Sequence, residues 1–475
     1  MRGLQPLTTG LTLGIALLAL SGCVSFEPQP ILPAASAAKL DQRSLDEPGL
    51  RAFVASTIGN VSGGETGPAW SLDTLTLAAF YFQPELDVAR TQWAVAEAAR
   101  VTAGARPGLS VSVIPTRNTT TATPSPRLVT SAVDVTLETA GKRGYRIARA
   151  TQLAEAARLN LASAAWRVRS RVRSSLVGLY GAIESAKLLR QQQSIHAENL
   201  QILEGQYRAG AISAFELTQA RLNADAARLA LRDAERREAE ARVSLATAIG
   251  IPAARLEGAS LSFDRFDELP AEPDLAEARQ QALGNRMDIL SALAEYAASQ
   301  SNLQFAIAGQ YPDIHLGPGY EYDQGDNKWS LGLAVSLPPD RNRGPIAEAR
   351  ARRDEAAARF DALQASVLGQ IDLAVAAFRS AARKQADASA MLANLTRQES
   401  VARAMLQAGA ISGSELAALR LQLGASALAR LDALQQAQQA VGQLEDAVQR
   451  PLGLPSSVWE VSPRSRETTE GTDRP

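Results

Sequence analysis

The sequence is poor in the residues that build most catalytic and metal centres. Among its 475 residues are one cysteine, two histidines and four methionines. A single thiol, Cys23, excludes a disulfide within the chain. His196 and His315 have no second His or Cys at metal-ligand spacing, and the methionines do not cluster, so no metal site and no cofactor are expected. There is no Gly-rich phosphate loop with lysine, no H-E-x-x-H pair and no G-x-S-x-G turn, so no enzyme class is indicated. Charge of one sign is missing as well. The 49 Lys and Arg against 50 Asp and Glu leave a formal −1, which gives no footprint for nucleic acid. Aromatics are sparse at 5%, while Ala, Leu, Arg, Gln and Glu fill long stretches, a composition of long helices or coiled coils. After the N-terminus no stretch approaches the roughly 20 apolar residues that a spanning helix needs.

The N-terminus supplies a route to a membrane. Arg2 precedes an apolar run at residues 11–20, so residues 1–22 read as a signal peptide. The run ends in Leu20, Ser21, Gly22 and Cys23, which resembles the lipobox of bacterial lipoproteins, with Cys23 as the acylated residue. Several acyl chains anchor stably where one is marginal. Residue 24 is Val, not Asp, and by resemblance to enterobacterial sorting rules the anchor goes to the outer membrane. A plain secretory signal with an incidental Cys is the alternative.

The chain is one unit written twice. Arg208, Ala209, Gly210, Ala211, Ile212 and Ser213 return as Gln407, Ala408, Gly409, Ala410, Ile411 and Ser412. Arg143 and Gly144 return as Arg343 and Gly344, and Pro107 returns as Pro312. Three matches in order at nearly one spacing mean duplication. The repeats are read as residues 72–250 and 274–453. A segment over 23–71 precedes them, a linker over 251–273 joins them and a polar tail over 454–475 follows. Each repeat opens with an Ala-rich helical stretch, 72–105 and 275–308, stopped by Gly and Pro. A hairpin follows at 109–139 and 314–337, then a long helix at 145–209 and 345–408, roughly 95 Å at 1.5 Å per residue. Val172, Leu176 and Leu179, and likewise Ile371, Val375 and Phe378, form an i, i+4, i+7 stripe. Gly210 and Gly409 suit C′ positions, and Ser213 and Ser412 suit N-caps of return helices over 213–249 and 412–449.

The hairpins alternate. Trp329, Leu331, Leu333, Val335 and Leu337 are interleaved with Ser330, Gly332, Ala334 and Ser336, and Val133, Val135 and Leu137 with Asp134 and Thr136. Ile314, Leu316, Tyr320 and Tyr322 stand against His315, Gly317, Gly319 and Glu321, and Leu109, Val111 and Val113 against Ser110 and Ser112. A half-buried soluble sheet has the same period of two. Strands of about ten residues, however, suit a tilted bilayer crossing, and Tyr320, Tyr322 and Trp329 sit where an interfacial girdle belongs. Four strands cannot close a barrel, and an open edge is not tolerated in lipid. The barrel must be shared. Three chains give twelve strands, whereas two give eight with little or no lumen.

The duplicated order of elements resembles the TolC-type outer membrane efflux factors over nearly all of the mature chain. The local signatures are Gln83-Pro84-Glu85-Leu86, Tyr311-Pro312-Asp313-Ile314, residues 331–338 and residues 207–213. The resemblance implies a mainly α fold with a small β part. In a homotrimer, long antiparallel helices would form a periplasmic α-barrel beneath a shared 12-stranded transmembrane β-barrel. An equatorial region would come from residues 25–70, 251–273 and the C-terminal segment. The implied function is the exit duct of a tripartite efflux system. Its partners would be outer-membrane lipid, a periplasmic adaptor and an inner-membrane pump of the resistance–nodulation–division type. The adaptor would dock on the turns at Arg208, Gly210, Ile212, Gln407, Gly409 and Ile411. Glu415 matches the first acidic position of the family's periplasmic gate, with Glu216 as its counterpart, but the next acidic position is Ala418 here. A helix-dipole role for Glu415 stands beside the gate. Gly317, Pro318, Gly319 and Tyr320, with residues 323–326 and 342–349, look like the cobalt–zinc–cadmium resistance branch, so the cargo would be heavy-metal cations or drugs. A type I secretion duct is one alternative. A lipid-anchored coiled coil with no pore is another, which leaves the hairpins unexplained. Arg167, Arg169, Arg171 and Arg173 read as a solvated or interchain-paired set.

Overall fold

The computed structural model describes residues 26–58, 69–117, 119, 127–323, 325–337 and 340–452. The signal segment, Cys23 and the tail from residue 453 lie outside the described residues. Residues up to Arg43 form a unit of their own, containing the exposed helix α1 (Pro33–Asp41). The remainder runs α2 (Pro48–Ile58), α3 (Leu72–Phe82), α4 (Pro84–Gly104), β1 (Ser110–Arg117), β2 (Arg127–Leu137), α5 (Lys142–Arg208) and α6 (Ala214–Ile249). A 3₁₀ turn at Ala253–Arg255 leads to α7 (Leu275–Asn285), α8 (Met287–Ala308), β3 (Ile314–Asp323), β4 (Asp326–Val335), α9 (Arg343–Gln407) and α10 (Gly413–Val448). No described helix is long and apolar enough to cross a membrane.

The first helical stretch of each repeat is two helices, not one. Gln83 is extended (φ −70°, ψ 117°) because Pro84 excludes the α conformation from the residue before it. Arg286 adopts nearly the same angles with no proline after it. Both breaks serve the return helices. Gln83 Nε2 donates to the carbonyls of Thr247 (2.8 Å) and Ala248 (2.6 Å), and Arg286 Nη1 to that of Ala447 (2.7 Å). Each side chain thereby satisfies carbonyls that the ends of α6 and α10 leave open.

The long helices α5 and α9, of 67 and 65 residues, set the length of the fold, about 100 Å at 1.5 Å per residue. Their middles carry the core. Val172, Leu176 and Leu179 are buried in a cluster with Leu50, Leu75, Leu245, Ile249 and Phe266. Ile371, Val375 and Phe378 are buried with Ala282, Ile289, Val441 and Leu444. The segment before α3 joins the first cluster, and Trp70 bridges to the linker through Trp70 N to Ser260 O (2.8 Å).

On the side away from the strands, α10 lies antiparallel along α5, each helix placing side chains over glycines of the other. Arg173 lies over Gly442, Gln435 over Gly181, Gln192 over Gly424 and Ile202 over Gly413. Gly413, Gly424 and Gln435 are eleven residues apart, about three turns, so they share one face. The lateral order is therefore α6–α5–α10–α9 towards the turns and α4–α5–α8–α9 towards the strands. Among the described residues no further long helix packs against α4, α6 or α9, although α3 and the 3₁₀ turn also meet α6 and α7 also meets α9.

Only half of the arginine run is solvated. Four residues advance a helix by only 40°, so it splits into two i, i+4 pairs. Arg167 and Arg171 are exposed and share Glu85 (3.1 and 2.5 Å). Arg169 and Arg173 are buried and share Glu445 Oε2 within this chain (2.8 and 3.2 Å), with side-chain exposures of 1%, 8% and 3%. Arg173 also donates to Gln438 O (2.7 Å), and Arg169 lies 4.9 Å from the Trp166 ring. Trp166 Nε1 and Ser170 Oγ donate to Asp446 (2.9 and 2.6 Å). Burial pushes the Asp73 and Asp446 carboxyls up. The network ties the first repeat to the end of the second.

Candidate functional site

The turns at the far ends of the long helices are built identically. Gly210 and Gly409 both have φ +72°, a left-handed conformation that glycine adopts without a Cβ penalty. Gly210 N donates to Tyr207 O and Ala211 N to Gln206 O (2.9 and 2.8 Å). Gly409 N donates to Leu406 O and Ala410 N to Met405 O (3.0 and 2.8 Å). This pair of bonds is a Schellman motif. Two residues later the chain re-enters a helix through a capping box. Ser213 N donates to Glu216 Oε2 and Ser412 N to Glu415 Oε2, both at 2.7 Å, and each serine hydroxyl accepts from the glutamate N–H at 3.2 Å. These bonds to the serines hold both carboxyls below the usual carboxylate range.

Glu216 and Glu415 thus have a structural task, which the Ser-x-x-Glu spacing in each copy would have disclosed. Arg208, Gly210, Gln407 and Gly409 are exposed at the turns, while Ile212 and Ile411 are half-buried. The first turn carries more apolar surface than the sequence reading assigned it. Phe215 is 77% exposed, and Leu222 and Leu229 follow at seven-residue steps, 58% and 68% exposed along α6. Repetition at seven residues is the seam of a coiled coil.

At the opposite end, four strands form one antiparallel sheet in the order β1-β2-β3-β4. Val111 pairs with Val133, Val135 with Leu316, Leu316 with Leu333, and Tyr320 with Trp329. Residues paired this way share a face. One face therefore gathers Val111, Val113, Val133, Val135, Leu316, Leu331 and Leu333. The other gathers Ser112, Asp134, Thr136, His315, Glu321 and Lys328. Strands β1 and β4 are exposed throughout and have no strand beyond them among the described residues. The helices make no more than marginal contact with the sheet. A half-buried soluble sheet would be covered on its apolar face, and this one is bare, with Leu331 at 75% and Leu333 at 69% exposure.

A long helical arm ending in an open sheet with one apolar face is the fold of outer-membrane channels. The crystal structure of the CmeC outer membrane channel of Campylobacter jejuni matches at a TM-score of 0.66 and 17% identity, covering 79% of this chain and 85% of that one. The sequence profile of the outer membrane efflux protein family matches residues 82–251 and 278–448, one block in each repeat, and the chain belongs to that family. It is similar to the cobalt-zinc-cadmium resistance protein CzcC of Cupriavidus metallidurans, 29% identical over 49% of this chain and 55% of that protein. It is also similar to the pyoverdine export outer membrane protein OpmQ of Pseudomonas aeruginosa, 30% identical over 40% of this chain and 41% of that one. The chain spans about half the length of these curated relatives. The family is one of outer-membrane efflux proteins rather than enzymes, and it places this chain in the outer membrane.

Proposed function

We propose that three copies of this chain close a twelve-stranded barrel in the outer membrane above a helical periplasmic tunnel, and that the assembly is the passive exit duct of a tripartite efflux system. The observation that carries this reading is the bare sheet: one face apolar, one polar, and a free edge on each side. In lipid every backbone group must be paired, so β4 of one copy meets β1 of the next. The same head-to-tail contact sets α9 against α4 and α6 of a neighbour, covering Leu222 and Leu229, and closes into a ring. Native mass measurement in detergent should give three chains. A folded monomer with strand signal in lipid would refute the shared barrel.

The turns at residues 208–213 and 407–412 are proposed as the docking end for a periplasmic adaptor, with Phe215 added to the surface, and an inner-membrane pump lies beyond it. The cargo is proposed to be divalent transition-metal cations, after CzcC and the motifs at 317–320, 323–326 and 342–349. OpmQ supports small organic molecules as the second reading. Cys23 is proposed as the lipid anchor. Cys23→Ala should abolish incorporation of labelled palmitate, and full labelling of the variant would remove the assignment.

Glu415, with Glu216, is proposed to line the gate just inside the docking end, where three carboxylates about one axis concentrate negative potential. Two substitutions separate charge from cap. Glu415→Gln retains a capping partner for Ser412 and loses the charge, whereas Glu415→Ala loses both. A gate acid predicts reduced cation selectivity in both variants. Wild-type selectivity in Glu415→Gln would confine Glu415 to its cap.

A further inference from the structure

The polar face of the sheet holds a contact that the duct reading does not use. Thr136 and His315 are direct cross-strand partners, and Asp134 lies two residues along on the same face. His315 Nδ1 is 3.3 Å from Asp134 Oδ2 and 3.3 Å from Thr136 Oγ1. The His315 and Asp134 side chains are 33% and 48% exposed. A charge-assisted hydrogen bond closes to about 2.7–2.9 Å, so neither contact is tight. Two donors each 2.0–2.2 Å from a tetrahedral ion stand roughly 3.3–3.5 Å apart. The imidazole nitrogen and the carboxylate oxygen already hold that separation.

We propose that His315 and Asp134 form a weak site for a divalent transition-metal cation such as zinc, on the face that lines the lumen where the helical tunnel opens into the barrel. The lumenal position rests on the duct reading; the pairing of donors does not. Imidazole with carboxylate suits zinc, cobalt or nickel, whereas magnesium takes oxygen donors and keeps its water. The nearby Asp313 carboxylate is engaged by Lys142 Nζ (2.8 Å) and Thr139 N (2.9 Å), so it contributes charge rather than a ligand. Among the described residues no three His, Cys, Asp or Glu gather to hold a metal. Two protein ligands completed by water make a site of low affinity. Low affinity is what conduction requires, since an ion must enter and also leave. Three copies would set three such contacts around one lumen.

The chain has one other histidine, His196 on α5, which supplies an internal control. Calorimetric titration of the detergent-purified full chain with zinc chloride should show one weak site per chain, with no heat from magnesium chloride. His315→Gln and Asp134→Asn should each weaken zinc binding at least tenfold, and His196→Gln should leave it unchanged. Zinc binding to His315→Gln at wild-type strength, or its loss in His196→Gln, would overturn the proposal. In planar bilayers, zinc should lower the conductance of wild-type channels and require at least tenfold more metal for His315→Gln. Equal sensitivity in both would remove the site from the conduction path. A protein that binds zinc through His315 yet forms no channel would instead refute the duct.

Discussion

Glu445→Ala is expected to destabilise the folded chain by about 3–5 kcal/mol, the range for removing one partner of a buried ion pair. The carboxylate is 3% exposed and holds two guanidiniums, Arg169 and Arg173, whose own side chains are 1% and 8% exposed. It also accepts from Leu452 N at 2.9 Å, so the substitution orphans a backbone donor as well. Asp446 beside it is already committed to Trp166 and Ser170. Replacing the half-buried Glu85, which pairs with the exposed Arg167 and Arg171, should cost no more than about 1 kcal/mol, because solvent screens those pairs. Urea unfolding followed by the loss of helical circular dichroism measures both. A cost for Glu445→Ala as small as that for Glu85→Ala would mean that Asp73 or Asp446 takes over the arginines.

Gly409→Pro is expected to abolish adaptor binding while leaving the barrel inserted. Gly409 sits at φ +72°, and proline is locked near −65°. The change also deletes the N–H that donates to Leu406 O at 3.0 Å. Forcing proline there costs roughly 3 kcal/mol or more. Gly409→Ala keeps the N–H and should cost about 1–2 kcal/mol, the usual strain of a left-handed alanine. Pull-down of the adaptor with each variant, alongside channel recording, separates the two ends of the molecule. Wild-type adaptor binding by Gly409→Pro would exclude this turn from the docking surface.

What the sequence disclosed, and what it hid, follows from how local each cause is. Gly210, Gly409, Ser213 and Ser412 were legible because a Schellman motif and a capping box are satisfied within six residues. The stripes at Val172 and Ile371 were legible because helical period is a local property. The break at Gln83 could have been read from Pro84, but the break at Arg286 depends on the carbonyl of Ala447, 161 residues away. The burial of Arg169 was hidden for the same reason, since Glu445 is 276 residues distant. Alternation showed that each strand has an apolar face. Only the register shows that all four apolar faces coincide and that His315 meets Asp134.

The central claim is that this chain forms a water-filled duct with two further copies of itself. Single-channel recording from detergent-purified protein in a planar bilayer tests it most directly. The account predicts discrete openings from a species of three chains, with cation selectivity that falls in Glu415→Gln. Absence of any conductance from a folded, membrane-inserted trimer would contradict it.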